Sequence, residues 1–246
     1  PIGSFQAIKH KCADMLMQVE AARSATYYAA CTAEERSVEL AIAASLAKAY
    51  CSDAYFRCAA ACLQIHGGVG FIEETGAAQH YRDARITPIY EGTTAIQAND
   101  LVGRKTARDG GQTAKAIAQQ IEATEAELKK QGGADALAVA KRLTAARLAF
   151  IDVVEFMAGQ QDPNAVYAGS VPYLMLAGNL MAGWQLARAL LVAQQELAKG
   201  EDAAFMQAKI TVARFYADHM LSRAPGVRDS IVEGAASVTA LALEAF

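Results

Sequence analysis

One carboxylate in a glycine- and threonine-rich bend, and a cluster of three close glycines upstream of it, are the residues whose types and spacing suit chemistry. The bend reads Ile86-Thr-Pro-Ile-Tyr90-Glu91-Gly92-Thr93-Thr94-Ala95, and the glycine turn reads Gln64-Ile65-His66-Gly67-Gly68-Val-Gly70-Phe71. Glu91 suits the work of a base, because a carboxylate in a closed apolar site gains basicity as burial penalises its charged form. Backbone N–H groups of Glu91, Gly92 and Thr93 could donate to an oxygen that becomes negative during reaction. Gly92 permits close approach because it carries no Cβ. The plainer reading makes Glu91 an acid at a helix start, favoured by the macrodipole. Ile89 and Tyr90 fit either core packing or the lining of a pocket.

The other titratable residues offer less. His66 reads as a residue that orders the glycine turn, since no second ligand lies at metal spacing. His80 and Asp83, one turn apart, read as an exposed or capping pair, and His10 and His219 have no partners that suggest chemistry. The five cysteines are Cys12, Cys31, Cys51, Cys58 and Cys62. An odd number without framework spacing points to free thiols in a reducing compartment. Cys51, Cys58 and Cys62 share one helix face, and they are expected to be small buried apolar residues. No metal site is expected.

At 246 residues the chain is long enough for one large domain or two modest ones with a real core. A formal charge of -3 argues against nucleic acid or an anionic membrane as the main partner. No apolar run reaches the roughly 18 uncharged residues that would suggest a membrane span. Val171 to Ala193 comes nearest, but Pro172, Asn179, Gln185 and Arg188 interrupt it.

These residues need a scaffold, and its pattern is helical. From Ser4 to His66 there is neither Gly nor Pro, which predicts two long helices. Phe5, Ile8, Cys12, Leu16, Val19 and Ala22 recur at spacings of three and four as one apolar stripe. Thr32-Ala33-Glu34-Glu35 fits a capping box, so the first helix should end near Ala30 and the second begin at Ala33. The second should run to about Ile65 and stop at Gly67 and Gly68. Helices of about 28 to 32 residues would be roughly 42 to 48 Å long, and their short connection predicts an antiparallel hairpin.

Shorter helices are expected over Glu73–Arg85 and Thr93–Lys105, with a break at Thr87-Pro88. Asp109-Gly110-Gly111 reads as the main boundary. Helices should follow over Thr113–Lys130, Ala134–Ala158, Val171–Lys199, Ala203–Arg223 and Val227–Ala245. The expected breaks are Gly132-Gly133, Gln160 to Pro163, Gly200-Glu201-Asp202 and Ala224-Pro225-Gly226. Strand-like alternation is nearly absent, so the predicted fold is all-α: a long antiparallel helix bundle and then a second helical region.

Taken in order and at this spacing, the glycine turn and the run Tyr81-Arg-Asp-Ala-Arg-Ile-Thr-Pro-Ile-Tyr-Glu-Gly-Thr-Thr-Ala-Ile-Gln97 resemble the C-terminal signature of the flavin-dependent acyl-CoA dehydrogenases. The resemblance is strong over Pro1 to Lys105. It implies a domain over residues 1–106 that carries Glu91 as the base removing the α-proton of an acyl-CoA. Gly92 and Tyr90 would lie on the substrate side. Gln64, Ile65, His66, Gly67 and Gly68 match the turn that touches FAD, in part across a subunit interface. Thr93, Thr94 and Ala95 match the stretch after the base that also meets FAD. Many members carry a polar residue where this chain has Ala95, so no side-chain contact is implied there. Gln6 matches a glutamine near the adenosine part of FAD. Arg82, Asp83 and Arg85 match an RDAR run, read here as an internal ion-pair network.

Residues 107–246 exceed the usual end of the family. The stretch Tyr173-Leu-Met-Leu-Ala-Gly-Asn-Leu-Met-Ala-Gly-Trp184 resembles the extra helical region of larger bacterial members, including the branch acting on methylthiopropanoyl-CoA. As packing, Gly178 and Gly183 would let helices approach and Trp184 would fill a core. The family's N-terminal helical domain and middle β-domain have no counterpart here. The chain is therefore expected to be the C-terminal part of a longer enzyme, binding flavin weakly alone. Implied partners are an acyl-CoA, the remaining dehydrogenase domains, an electron-transferring flavoprotein and further copies in a homo-oligomer, in the bacterial cytoplasm. An acyl-CoA oxidase segment and a non-catalytic helical assembly module are the alternatives.

Overall fold

The computed structural model describes residues 2–90, 93–200, 202–238 and 240–241. Among them the chain is helical with no strand, as the sequence pattern predicts, and it divides into two units, Pro1–Gln97 and Ala98–Phe246.

The first unit opens with α1 (Gln6–Glu34) and α2 (Leu40–His66), of 29 and 27 residues. They pair as the expected antiparallel hairpin. The Cys51 thiol reaches the Ala22 carbonyl at 3.5 Å and the Cys58 thiol the Met15 carbonyl at 3.7 Å, so seven steps forward on α2 match seven back on α1. Small residues line the seam: Ala21 and Ala25 on α1 and Ala43, Ala47 and Ala54 on α2, with Met17 and Leu46 as larger members.

Two expectations fail here. The stripe is helical from Ile8 on, but Phe5, Leu16 and Val19 are exposed, because the alanine face is the one that packs. The cysteines are not buried either: Cys51 and Cys58 are half-buried at the seam's edge, and Cys12, Cys31 and Cys62 are exposed.

The capping box also fails. Thr32 is buried inside α1, and its hydroxyl donates to the Ala29 carbonyl at 2.9 Å instead of capping a new helix. α1 ends four residues later than expected, through a Schellman closure. Ser37 N–H donates to Thr32 O at 2.9 Å and Arg36 N–H to Ala33 O at 3.2 Å, with Arg36 left-handed at φ 50°. The residue that usually occupies that position is glycine, and its absence hides the helix end. Ser37 Oγ then accepts the Glu39 N–H at 3.2 Å, one turn before α2.

After α2, short 3-10 turns at Gly67–Val69 and Glu73–Thr75 lead into α3 (Ala77–Ile86). The helix expected from Glu73 is thus interrupted at Gly76, which is left-handed at φ 77°. α4 (Thr94–Asp100) begins at this unit's end.

The second unit starts with a π-helical stretch, Leu101–Ala107. It continues with α5 (Gln112–Gln131), α6 (Ala134–Gly159), α7 (Pro163–Ala168), α8 (Ser170–Lys199), α9 (Ala203–His219), α10 (Ala224–Val232) and α11 (Ala235–Val238). Asp109 starts α5 by accepting the N–H groups of Gly111 at 2.9 Å and Thr113 at 3.0 Å.

Several boundaries differ from expectation. α7 fills the stretch between the predicted loop and the helix expected from Val171, because Asp162 caps it by accepting Asn164 N–H at 3.0 Å and Pro163 suits a first turn. Ala224-Pro225-Gly226 is no break: it forms the first turn of α10, where proline lacks an N–H that the helix does not need. The helix expected over Val227–Ala245 is divided, α10 ending at Val232 and α11 covering Ala235–Val238; residues 239 and 242–245 of it lie outside the described residues.

Packing in this unit is dense. A Cβ at Gly183 would lie 2.7 Å from a Leu221 methyl, and Trp184 donates its indole N–H to Thr124 at 2.8 Å. The buried Glu125 carboxylate takes a two-pronged bond from Arg147 at 2.8 and 3.0 Å and another from Thr144 at 2.7 Å. Among the described residues no helix is long and apolar enough to cross a membrane.

Candidate functional site

The glycine turn caps α2. Gly67 takes φ 61°, which ends the helix. Gly70 closes the turn with its N–H on Gly67 O at 2.9 Å. A Cβ on Gly70 would sit 2.3 Å from the Leu63 carbonyl, so only glycine fits. Gly67 and Gly68 differ: nothing lies within 4 Å of a Cβ built on either. They present bare backbone to open space. Gln64, His66 and both glycines are exposed, and Ile65 is half-buried. His66 bonds back into α2, its Nδ1–H donating to the Cys62 carbonyl at 2.8 Å. Thr75 lashes the following loop through its hydroxyl, 2.9 Å from Val69 O and 3.0 Å from Ile72 O.

Glu91 and Gly92, the two central residues of the sequence reading, lie outside the described residues. Their flanks are described. Upstream, Ile86 O accepts the N–H groups of Ile89 at 3.0 Å and Tyr90 at 2.8 Å, forming a turn at the end of α3. Downstream, Thr93 caps α4: its hydroxyl accepts Ile96 N–H at 3.3 Å and its carbonyl accepts Gln97 N–H at 3.0 Å. Tyr90 is 66% exposed and Ile89 51%, so neither is core in this unit. Thr93 and Ala95 are exposed and Thr94 half-buried. Gln6 is exposed at the first position of α1.

α3, which delivers the chain to Glu91, grips α2 through one ring. Tyr81 stacks on Phe56 with centroids 5.2 Å apart and planes inclined 26°, and the Arg85 guanidinium lies 5.2 Å from the same ring. Such contacts are worth about 0.5–1.5 kcal/mol for the aromatic pair and about 0.5–1 kcal/mol for an exposed cation–π contact. One turn on, the Thr87 hydroxyl donates to Ala84 O at 2.8 Å and lies 3.4 Å from Ser52 O of α2. The sequence reading missed Phe56. The signal was an aromatic and a cation at i and i+4, Tyr81 and Arg85, on one face of α3.

This corrects the ion-pair network expected of Arg82, Asp83 and Arg85. All three are exposed. Arg82 binds Glu73 at 3.3 Å and Gln79 at 2.8 Å, and Asp83 accepts from Gln79 at 2.6 Å. The glycine turn and the start of the bend are separated within this unit. Thr87 lies beside Ser52 and the turn follows His66, about 21 Å farther along α2 at 1.5 Å per residue.

Comparison with known proteins places the chain in a family. The model for "Acyl-CoA dehydrogenase, C-terminal domain" matches residues 1–105. That for "Acetyl-CoA dehydrogenase C-terminal like" matches residues 114–242. The chain belongs to the acyl-CoA dehydrogenase family. It is 59% identical, over 179 residues, to 3-methylmercaptopropionyl-CoA dehydrogenase of Ruegeria pomeroyi, which aligns 72% of this chain with 30% of that protein. It is 37% identical to the broad-specificity linear acyl-CoA dehydrogenase FadE5 of Mycobacterium tuberculosis, covering 69% of this chain and 29% of that one. An acyl-CoA dehydrogenase from Bacillus anthracis, solved in complex with FAD, superposes with a TM-score of 0.71 at 23% identity. That match covers 99% of this chain and 44% of the other, and it speaks for the fold. The chain thus spans less than a third of the curated relatives named here.

Proposed function

We propose that this chain is the C-terminal part of an FAD-dependent acyl-CoA dehydrogenase, with Glu91 as the base that accepts the substrate's α-proton. In this reading residues 1–106 carry the base and 107–246 form an additional helical domain. The observation that supports it most is the pair of anchors around the carboxylate. The Ile86–Tyr90 turn hands the chain to Glu91, and the Thr93 cap starts α4 two residues after it. A base needs such fixed surroundings, because proton transfer requires hydrogen-bond reach.

The glycine turn fits the cofactor, since Gly67 and Gly68 leave open the space that side chains would fill. Gln64, Ile65, His66, Gly67 and Gly68 would hold FAD together with Thr93, Thr94 and Ala95, and Gln6 would lie near its adenosine end. When bound, FAD supplies an acceptor for the hydride that leaves the β-carbon. Gly92 and Tyr90 would meet the acyl-CoA, and backbone N–H groups at the bend would steady the thioester oxygen. The separation of turn and bend along α2 supports a homo-oligomer in which one copy's turn serves another copy's bend. Exposed Phe5, Leu16 and Val19 favour the same assembly. Electrons would leave through an electron-transferring flavoprotein. The five free thiols suit a reducing bacterial cytoplasm.

Glu91→Gln in the full-length, flavin-loaded enzyme tests the base. Turnover per bound flavin should fall by about 10²–10⁴-fold with flavin retained. Full activity would remove Glu91 from that role. Peroxide released in stoichiometry with product would mark an oxidase instead.

A further inference from the structure

We propose that Phe56 and Arg85 are positioning residues for the base: the grip of α3 on the Phe56 ring fixes the Ile86–Tyr90 turn, from which the chain runs on to Glu91, against α2. This rests on Glu91 being the base. Three observations carry it. Tyr81 and Arg85, one helical turn apart on α3, hold the same ring from α2, with Arg85 in the last turn of its helix. The adjacent Ile86 carbonyl accepts both N–H groups that close the turn into Tyr90. No residue stands between clamp and turn to absorb a shift. Thr87, next in the chain, keeps its hydroxyl on Ala84 O at 2.8 Å and near Ser52 O of α2 at 3.4 Å. Downstream, the Thr93 cap bonds forward into α4. Upstream, Thr87 ties the start of the bend to the α2 scaffold. Rotating α3 about the ring would move the whole turn.

Such a shift acts on rate more than on affinity, because a misplacement of about 1 Å at a reacting group costs about 10²-fold. The test uses the full-length, flavin-loaded enzyme with butanoyl-CoA and its 2,2-dideuterated form, alongside Glu91→Gln. Phe56→Leu removes the flat face that both partners use. It should lower kcat per bound flavin by about 10- to 100-fold with KM little changed. The α-deuterium isotope effect should rise, because proton removal becomes more rate-limiting. Phe56→Tyr and Arg85→Lys keep the ring face and the cation, and should restore both quantities. Arg85→Gln, at an exposed position, should show the same direction as Phe56→Leu and gives the reading if Phe56→Leu does not fold.

Normal kcat per flavin and a normal isotope effect in Arg85→Gln and in any folded Phe56→Leu would overturn the proposal, even if less flavin-loaded enzyme were recovered. The clamp would then serve stability alone. An active Glu91→Gln would instead remove the base, and this inference with it. Loss of activity in Glu91→Gln beside unchanged clamp variants would sink the positioning role only.

Discussion

The two units spend their apolar residues differently. Among the described residues every large, fully buried side chain belongs to the second unit, including Tyr173, Tyr216, Ile121, Leu143, Leu180 and Leu190. The first unit's interior is mostly alanine, while Phe5, Leu16, Val19, Phe71 and Ile96 face outward. Alanine faces let long helices approach closely, but they remove little area from water, and stabilisation follows that area at about 25 cal/mol per Å². The second unit therefore closes a core from its own sequence. The first holds its shape with less and keeps apolar surface in reserve. The candidate site lies in that first unit, where residues for ligand and partner must stay accessible.

The sharpest way to break this contrast is to make one chemical change in both places. Leu180→Ala in the second unit should cost about 2–5 kcal/mol, because a fully buried leucine leaves a cavity. Leu16→Ala, at 53% exposure, should stay within about 0.5 kcal/mol in the same chain. Urea unfolding, followed in two phases if the units separate, measures both. Equal losses would mean that the Leu16 face is covered within this chain.

A smaller effect tests how the second unit starts. Burial pushes the Asp109 carboxyl up, but hydrogen bonds from Thr113, Gly111 and Gln112 outweigh it and hold the group below the ordinary carboxylate value. A depressed folded value means that the unfolded chain binds the proton first. The stabilisation is present above the ordinary aspartate pKa and is lost as pH falls through the folded one. Asp109→Ala should cost about 1 kcal/mol near neutral pH, as capping losses do. The gap from the parent chain should shrink in acid. Unfolding midpoints across the acid range check this, and a gap that stays constant would show that the carboxylate's charge is not what matters.

What the sequence made legible depended on which residue did each job. The stop at Gly67 and the turns at Gly111, Gly132 and Gly200 could be read because glycine occupies left-handed positions in all of them. The end of α1 could not, since Arg36 takes the same conformation without the usual marker. Thr32-Ala33-Glu34-Glu35 misled because a capping box and a buried threonine that bonds back to Ala29 share one local pattern. Proline misled in the other direction at Pro225, which starts α10. In the site, the glycine turn was legible as a local motif. Phe56 was not, because its partners Tyr81 and Arg85 lie in another helix, and sequence spacing alone does not say which ring they find. The stripe through Leu16 shows the same limit: periodicity identifies an apolar face without saying what covers it.

The smallest expected effect returns to that hidden helix end and compares it with its counterpart in the second unit. Arg36 and Asp202 are the non-glycine residues at positive φ among the described residues, at 50° and 37°. For an ordinary side chain the left-handed region costs about 1–2 kcal/mol through the Cβ. Aspartate visits it more readily. Glycine relieves that strain but adds freedom to the unfolded chain, which offsets about 0.5–1 kcal/mol. Arg36→Gly should therefore stabilise the first unit by about 0.5 kcal/mol, because an exposed arginine brings no compensating burial. Asp202→Gly should bring no gain or a slight loss, since less strain is there to relieve. Thermal unfolding of both variants beside the parent decides it. A larger gain at Asp202 would mean that its side chain is strained where the Schellman closure makes Arg36 comfortable, and the account of how α1 ends would have to change.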